Sequence, residues 1–225
     1  MAFLKLKARQ TSAISTASEG ADVYARGLRD GTILTAEWIL AQTIRGRLMC
    51  AQAGLLTTAI TWTATATNDQ TKPAMFIDVP SGTTIFPLEI SLYMEAYGSD
   101  ALFECAAMTG TGGVSAGGTA MAITNMRTDA PYSTNCTATS DITGGTACTA
   151  NISSFWATGL QMTATIASAD DASPRQESLH VWRYKDSGYC PIVVGAGQLM
   201  VTQGSQAGTG FGKIIFIEVP TTEIT

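Results

Sequence analysis

Histidine is nearly absent from this chain, and charge is scarce. One histidine, His180, stands among 225 residues, and Asp, Glu, Lys and Arg together make 14%, against roughly 25% in ordinary soluble domains. A single histidine leaves no room for a histidine-rich metal site. The one Gly-x-Ser-x-Gly match, GVSAG at 113–117, lies inside a glycine-rich turn cluster, and a serine-hydrolase triad built on it would have only His180 to draw on. No Cys-x-x-Cys pair occurs either. No apolar run approaches the roughly 18 residues that a spanning helix needs. The opening stretch MAFLKLKARQTSAISTASEGA carries charge but no apolar h-region, so a secretory signal is not expected.

The five cysteines, Cys50, Cys105, Cys136, Cys148 and Cys190, are an odd number. That predicts reduced, mostly buried thiols rather than a disulfide framework. Cys136 and Cys148 lie in Thr/Gly-rich, hairpin-like sequence and are the pair that would bridge in an oxidising compartment.

What the chain has instead is 33 threonines, 32 alanines and 22 glycines. Threonine favours strands and glycine favours turns. A surface so poor in charge is easiest to understand if neighbouring subunits cover much of it. The charge is also uneven. Residues 1–47 hold seven of the 13 Lys/Arg and four acids, a net +3, while the remaining residues sum to −8. A basic end on an acidic body predicts an arm that docks on something acidic. The alternative is a solvated, mobile terminus.

Residues 1–30 show no sustained periodicity. A short helix is predicted over 34–43, LTAEWILAQT, with Leu34, Trp38 and Ile39 on one face. After Gly46 the pattern is one of strands. TTAITWTATAT (57–67) alternates, with Ile60 and Trp62 on one side and Thr61 and Thr63 on the other. In VPSGTTIFPLEISLYMEAYG (79–98), Pro80-Ser81-Gly82 makes a turn. Phe86, Leu88, Ile90, Leu92 and Met94 then fall on every second position, which predicts a core face. Further strands are predicted at 47–52, 74–80, 101–108, 119–128, 135–141, 159–168, 177–185, 198–203 and 212–220. Turn clusters separate them at 110–118, 141–145, 169–174, 185–188 and 204–210.

About ten strands without a strong interior helix predict an all-β, antiparallel β-sandwich. The predicted domain, 46–220, is longer than an immunoglobulin-like sandwich needs and suits a jelly-roll-like form. Residues 1–45 form an extended N-terminal arm in this reading, and 221–225 a C-terminal tail.

Chemistry-bearing patterns are weak. His180, in ESLHVWRYK, reads as a strand residue that packs or hydrogen-bonds. Glu89 and Glu95 are six apart on one strand, about 20 Å at strand rise, which is too far for a paired-carboxylate site. Asp170-Asp171 lies in a loop without the EF-hand pattern. GTGFGK (208–213) resembles a phosphate loop, but Ala207 and Ile214 stand where that loop needs Gly and Ser or Thr. It reads as a glycine-rich hairpin connection. Asn135 and Asn151 match the glycosylation pattern by chance. Trp38, Trp62, Trp156 and Trp182 read as core or interface anchors. No catalytic residue, metal or cofactor is expected, and the sparse aromatics do not interleave with basic residues as in a nucleic-acid surface.

Two stretches, VPSGTTIFPLEISLYMEAYG and PIVVGAGQLMVTQGSQAGTGFGKIIFIEVP (191–220), resemble jelly-roll structural proteins of tailed-phage virions. The resemblance implies a decoration (cement) protein, commonly a homotrimer. Its partners would be the major capsid protein and other copies of itself, on the virion surface. The contact residues would then be Lys5, Lys7, Arg9, Arg26 and Arg29 on acidic shell surface, with Leu34, Trp38 and Ile39 as apolar anchors. Two alternatives stay open within this reading: a small major capsid protein and a tail or fibre component. From another class, a carbohydrate-binding module would use Trp156 or Trp182 as a stacking platform and Asp170-Asp171 to hold Ca²⁺.

Overall fold

The computed structural model describes residues 37–55, 57–62, 69–97, 102–161, 179–204 and 207–224. In chain order these form α1 (Trp38–Ile44), β1 (Leu48–Ala53), β2 (Ile60–Trp62), β3 (Met75–Val79), β4 (Thr83–Tyr97), β5 (Leu102–Thr111) and β6 (Val114–Ala116). Then come β7 (Thr119–Ala120), β8 (Ala122–Asn125), β9 (Thr137–Ser140), β10 (Gly144–Thr146), β11 (Ala150–Gln161) and β12 (Leu179–Arg183). The C-terminal part holds α2 (Tyr184–Ser187), β13 (Val193–Val194), β14 (Gly197–Gln203), β15 (Gly208–Pro220) and a short 3-10 turn over Thr221–Glu223.

The fold is the expected antiparallel all-β one. One sheet runs β12-β4-β15-β1-β8, with β13 added against β4 and β2 against β15. The other runs β11-β5-β14-β3-β9-β7, and β6 pairs with β10 in a separate ribbon. Eight principal strands, β1, β3, β4, β5, β11, β12, β14 and β15, build the two layers. Counted in chain order, the first sheet takes the sixth, third, eighth and first, and the second takes the fifth, fourth, seventh and second. Apart from β5 and β11, which follow one another in this count, neighbours among these strands are distant in sequence.

One apolar core lies between the layers. Met49, Ile90, Leu92, Ile214 and Phe216 come from the first sheet, and Met75, Ile77, Phe103, Leu199 and Val201 from the second. Burying each such side chain stabilises the fold by roughly 1.5–3 kcal/mol. A smaller cluster of Phe76, Ile142, Cys148 and Met200 lies apart from it.

The long strand β4 departs from its predicted alternation at two register shifts, one beyond Met94, where Glu95 is skipped, and one near Pro87. Ile215 pairs with Glu89 and Phe216 with Pro87, so Leu88 has no partner across the ladder. One extra residue in one strand reverses which side chains face inward. Ile90, Leu92 and Met94 are core, as the alternation predicts, but before the bulge it is Ile85 and Pro87 that are buried. Phe86 and Leu88 are only half-buried and turn to the outer face of the sheet.

Other differences have equally local causes. The strand predicted over 159–168 begins earlier, as β11 at Ala150. Two register shifts along it, at Ala150/Ser153 and Ser154/Trp156, break the period-two signal. The turn clusters over 110–118 and 141–145 contain the paired short strands β6 and β10. Positions 63–67 and 162–168 lie outside the described residues.

GTGFGK is not a connection but strand interior, in β15. Gly208, Gly210 and Gly212 share one side of it. A Cβ on Gly210 would lie 1.9 Å from the Tyr93 carbonyl oxygen, and one on Gly212 would meet the Met75 sulfur at 2.9 Å. Glycine is required at 210, where a side chain would collide with the β4 backbone, whereas at 208 and 212 the close neighbours are the ends of methionine side chains. Gly210→Ala is therefore expected to lower stability by roughly 2 kcal/mol or more. Urea unfolding reads this as a lower midpoint at unchanged slope; an unchanged midpoint would show that the ladder has room.

Candidate interaction surface

Helix α1 ends in a glycine cap. Gly46 takes φ 75. Its N–H donates to the Thr43 carbonyl, and the Arg47 N–H to that of Gln42, the double bond pattern of a left-handed C-terminal cap. Several contacts from the β domain fix this end. Arg127 Nη1 donates to the Ile44 carbonyl at 2.6 Å, and Asn125 Nδ2 to that of Gly46 at 2.7 Å. Arg45 and Arg47 each stand 3.6 Å from Glu223, and Arg47 lies over the Tyr132 ring.

The faces of α1 are inverted relative to an ordinary surface helix. Gln42 is buried, and its Oε1 has no hydrogen-bond partner among the described residues. Leu40 and Ile44, one turn apart on a common face, are 52% and 54% exposed. Trp38 is 44% exposed and meets Phe86 edge-on, with centroids 4.9 Å apart.

Beside α1 lies a half-open groove of about 330 Å³, lined by Trp38, Ile39, Phe86, Leu88, Tyr184, Cys190 and Ile224. The β4 bulge supplies its floor, because it turns Phe86 and Leu88 outward. No charged side chain among the described residues lines it. Glu37 marks its lip: Tyr184 Oη donates to Glu37 Oε1 at 3.3 Å, and Lys185 Nζ stands 3.6 Å away. Cys190 Sγ donates to the Pro87 carbonyl at 3.0 Å, and burial pushes this thiol up to about 11.

Of the contact residues expected from sequence, Trp38 and Ile39 come together on this groove. Lys5, Lys7, Arg9, Arg26, Arg29 and Leu34 lie outside the described residues. Sequence reasoning missed Phe86, Leu88 and Cys190. Pro87 within a long alternating stretch was the available signal, since proline inside a sheet marks an edge or a bulge.

Nothing else among the described residues gathers into reactive chemistry. No group of three or more His, Cys, Asp or Glu side chains there is placed to hold a metal ion. His180 is buried, with Nδ1 3.3 Å from Thr158 Oγ1 and its ring tilted on Phe103. All five thiols are free. Burial raises each of them, Cys105 to about 12, so none is a ready thiolate at neutral pH. Cys136 sits in the main core and Cys148 in the smaller cluster, unbridged. Trp182 is buried against Phe155 and offers no stacking face, and Trp156, the other platform residue of the carbohydrate-module expectation, is half-buried. Asp170-Asp171 lies outside the described residues.

No protein family matches the chain, and comparisons with curated proteins and with solved structures found no similar protein.

A charged cluster borders the apolar groove. Glu89 accepts from Arg183 Nε at 3.0 Å and lies 3.2 Å from Lys213 Nζ. Partial burial pushes the Glu89 carboxyl up, and hydrogen bonds and charge from Arg183 and Lys213 more than reverse this, so it titrates below its ordinary value. The resulting stability is complete above the ordinary carboxylate pKa and is lost as pH falls through the lowered one. Glu89→Gln is expected to cost about 1 kcal/mol at pH 7, because the cluster is partly solvated. The cost should shrink toward pH 3, as the pH falls below the ordinary carboxylate value toward the lowered one. Chemical denaturation at both pH values checks this, and an equal cost at both would contradict the ion-pair account.

Proposed function

We propose that this chain is a virion structural protein, most nearly a capsid decoration (cement) protein, and that its work is adhesion. The observation that carries the reading is α1. A helix that buries Gln42 and presents Leu40, Ile44 and Trp38 is built for a surface that something else covers. The groove beside it widens that apolar area. No reactive cluster competes with this reading among the described residues.

Further support comes from topology and charge. The strand order of the two layers fits two Greek keys, the pattern of a jelly roll. The excess of acid beyond residue 47 suits an outer component better than a shell lining that touches the genome. Partners on this reading are the major capsid protein and other copies of the chain, as a homotrimer. Many weak contacts on one shell add by multivalency, so no single site need be strong.

Light scattering across roughly a hundredfold concentration range tests the subunit contacts. A stable three-chain mass is expected, and Leu40→Ser with Ile44→Ser should shift it toward one chain while leaving the unfolding midpoint nearly unchanged. A strict monomer at every concentration would overturn the trimeric cement reading. Large closed particles would overturn it too and make the chain a shell builder.

A further inference from the structure

We propose that the apolar groove beside α1 is the seat of this chain's own N-terminal segment, residues Phe3–Arg9. This deepens the adhesive reading and rests on it, because it names what part of the arm makes contact and where.

Three observations converge. The first is where the chain arrives. The described chain begins at Glu37, whose backbone is extended (φ −55, ψ 141) and whose carboxylate is held by Tyr184 and Lys185. The next two residues, Trp38 and Ile39, are groove wall. The whole N-terminal segment is therefore tethered at the lip of the groove.

The second is the chemistry of the segment. In FLKLKAR, Leu4, Leu6 and Ala8 alternate with Lys5, Lys7 and Arg9. Laid out extended, such a run offers an apolar row to the groove and a basic row away from it. The groove takes the first and, among the described residues, has no charged side chain to oppose it. The second stays on the outer side, where Lys5, Lys7 and Arg9 remain open to an acidic surface beyond the chain.

The third is reach. The residues between Arg9 and Glu37 span up to roughly 90 Å fully extended, and about 30 Å as a coil. That covers the groove of the same copy and of a neighbour. Tethering gives an effective concentration in the millimolar range, so a short two-leucine contact suffices.

Cys190, in the groove wall, allows a direct test in the full-length protein. The variants L4C, L6C, S12C and L34C are oxidised with copper–phenanthroline in air at alkaline pH, where the buried thiol ionises, and the products are mapped by mass spectrometry. L4C and L6C are expected to link to Cys190 with roughly tenfold the yield of S12C, and Cys190→Ser in the same chains should abolish the link. A link within one chain and a link between two chains both support the proposal, and the product's mass says which copy supplied the segment. Absence of a Cys190 link from both L4C and L6C would overturn it. So would a link from L34C alone, which would hand the groove to the nearer segment. These outcomes are independent of the subunit mass: a monomer that still forms the link would remove the cement reading and leave the groove assignment standing.

Discussion

The ladder between β4 and β15 runs from Thr83 and Pro220 to Tyr97 and Gly208, and both the core and the outer surface depend on it. Two devices let it form. Gly210 allows β15 to lie against β4 where a Cβ would collide with its backbone. The unpaired Leu88 changes which face of β4 looks inward. Without the first, the strands could not approach. Without the second, Phe86 and Leu88 would point into the core, and α1 would have nothing apolar to rest on.

Two buried polar side chains among the described residues, Glu218 and Gln198, are used for fastening. Glu218, near the end of β15, accepts from Thr134 Oγ1 at 2.5 Å and from the Asn135 N–H at 2.8 Å, which ties down the chain before β9. Gln198 in β14 donates to Asp78 at 3.1 Å and accepts from the Gly113 N–H at 3.1 Å. Breaking either would leave a buried polar group unsatisfied, at about 1–3 kcal/mol. These groups hold loops onto sheets. The outer face around α1 has no such assignment, and apolar groups stand open there.

Much of the layer structure was legible in the sequence. β1, β3, β12 and β14 fall where alternation or apolar runs place them, because short half-buried strands advertise themselves by period two. The core half of β4 from Ile90 onward follows the same rule. What escaped was non-local. A bulge is visible only as a pairing across strands, and β11 hides two of them behind Ser and Asn. The glycines of β15 have no meaning until β4 lies beside them. The candidate site was legible only in part. Trp38 and Ile39 stand out as apolar residues near a basic end, but Phe86 and Leu88 read as core until the bulge is known. The inversion of α1, polar Gln42 inward and Leu40 and Ile44 outward, is a tertiary choice that no helical period predicts.

The proposed adhesive role requires that the surface around α1 be covered in the working protein. Hydrogen exchange on the full-length chain measures this directly. A seven-residue helix with an open apolar face is marginal alone, so its amides should exchange fast unless something lies over them. The account predicts that the amides of α1 and of residues 84–90 are protected well beyond the other short elements, β7 and β8, and stay so throughout the native state. Exchange of α1 at the rate of unprotected backbone, while β3, β5 and β14 remain protected, would contradict it.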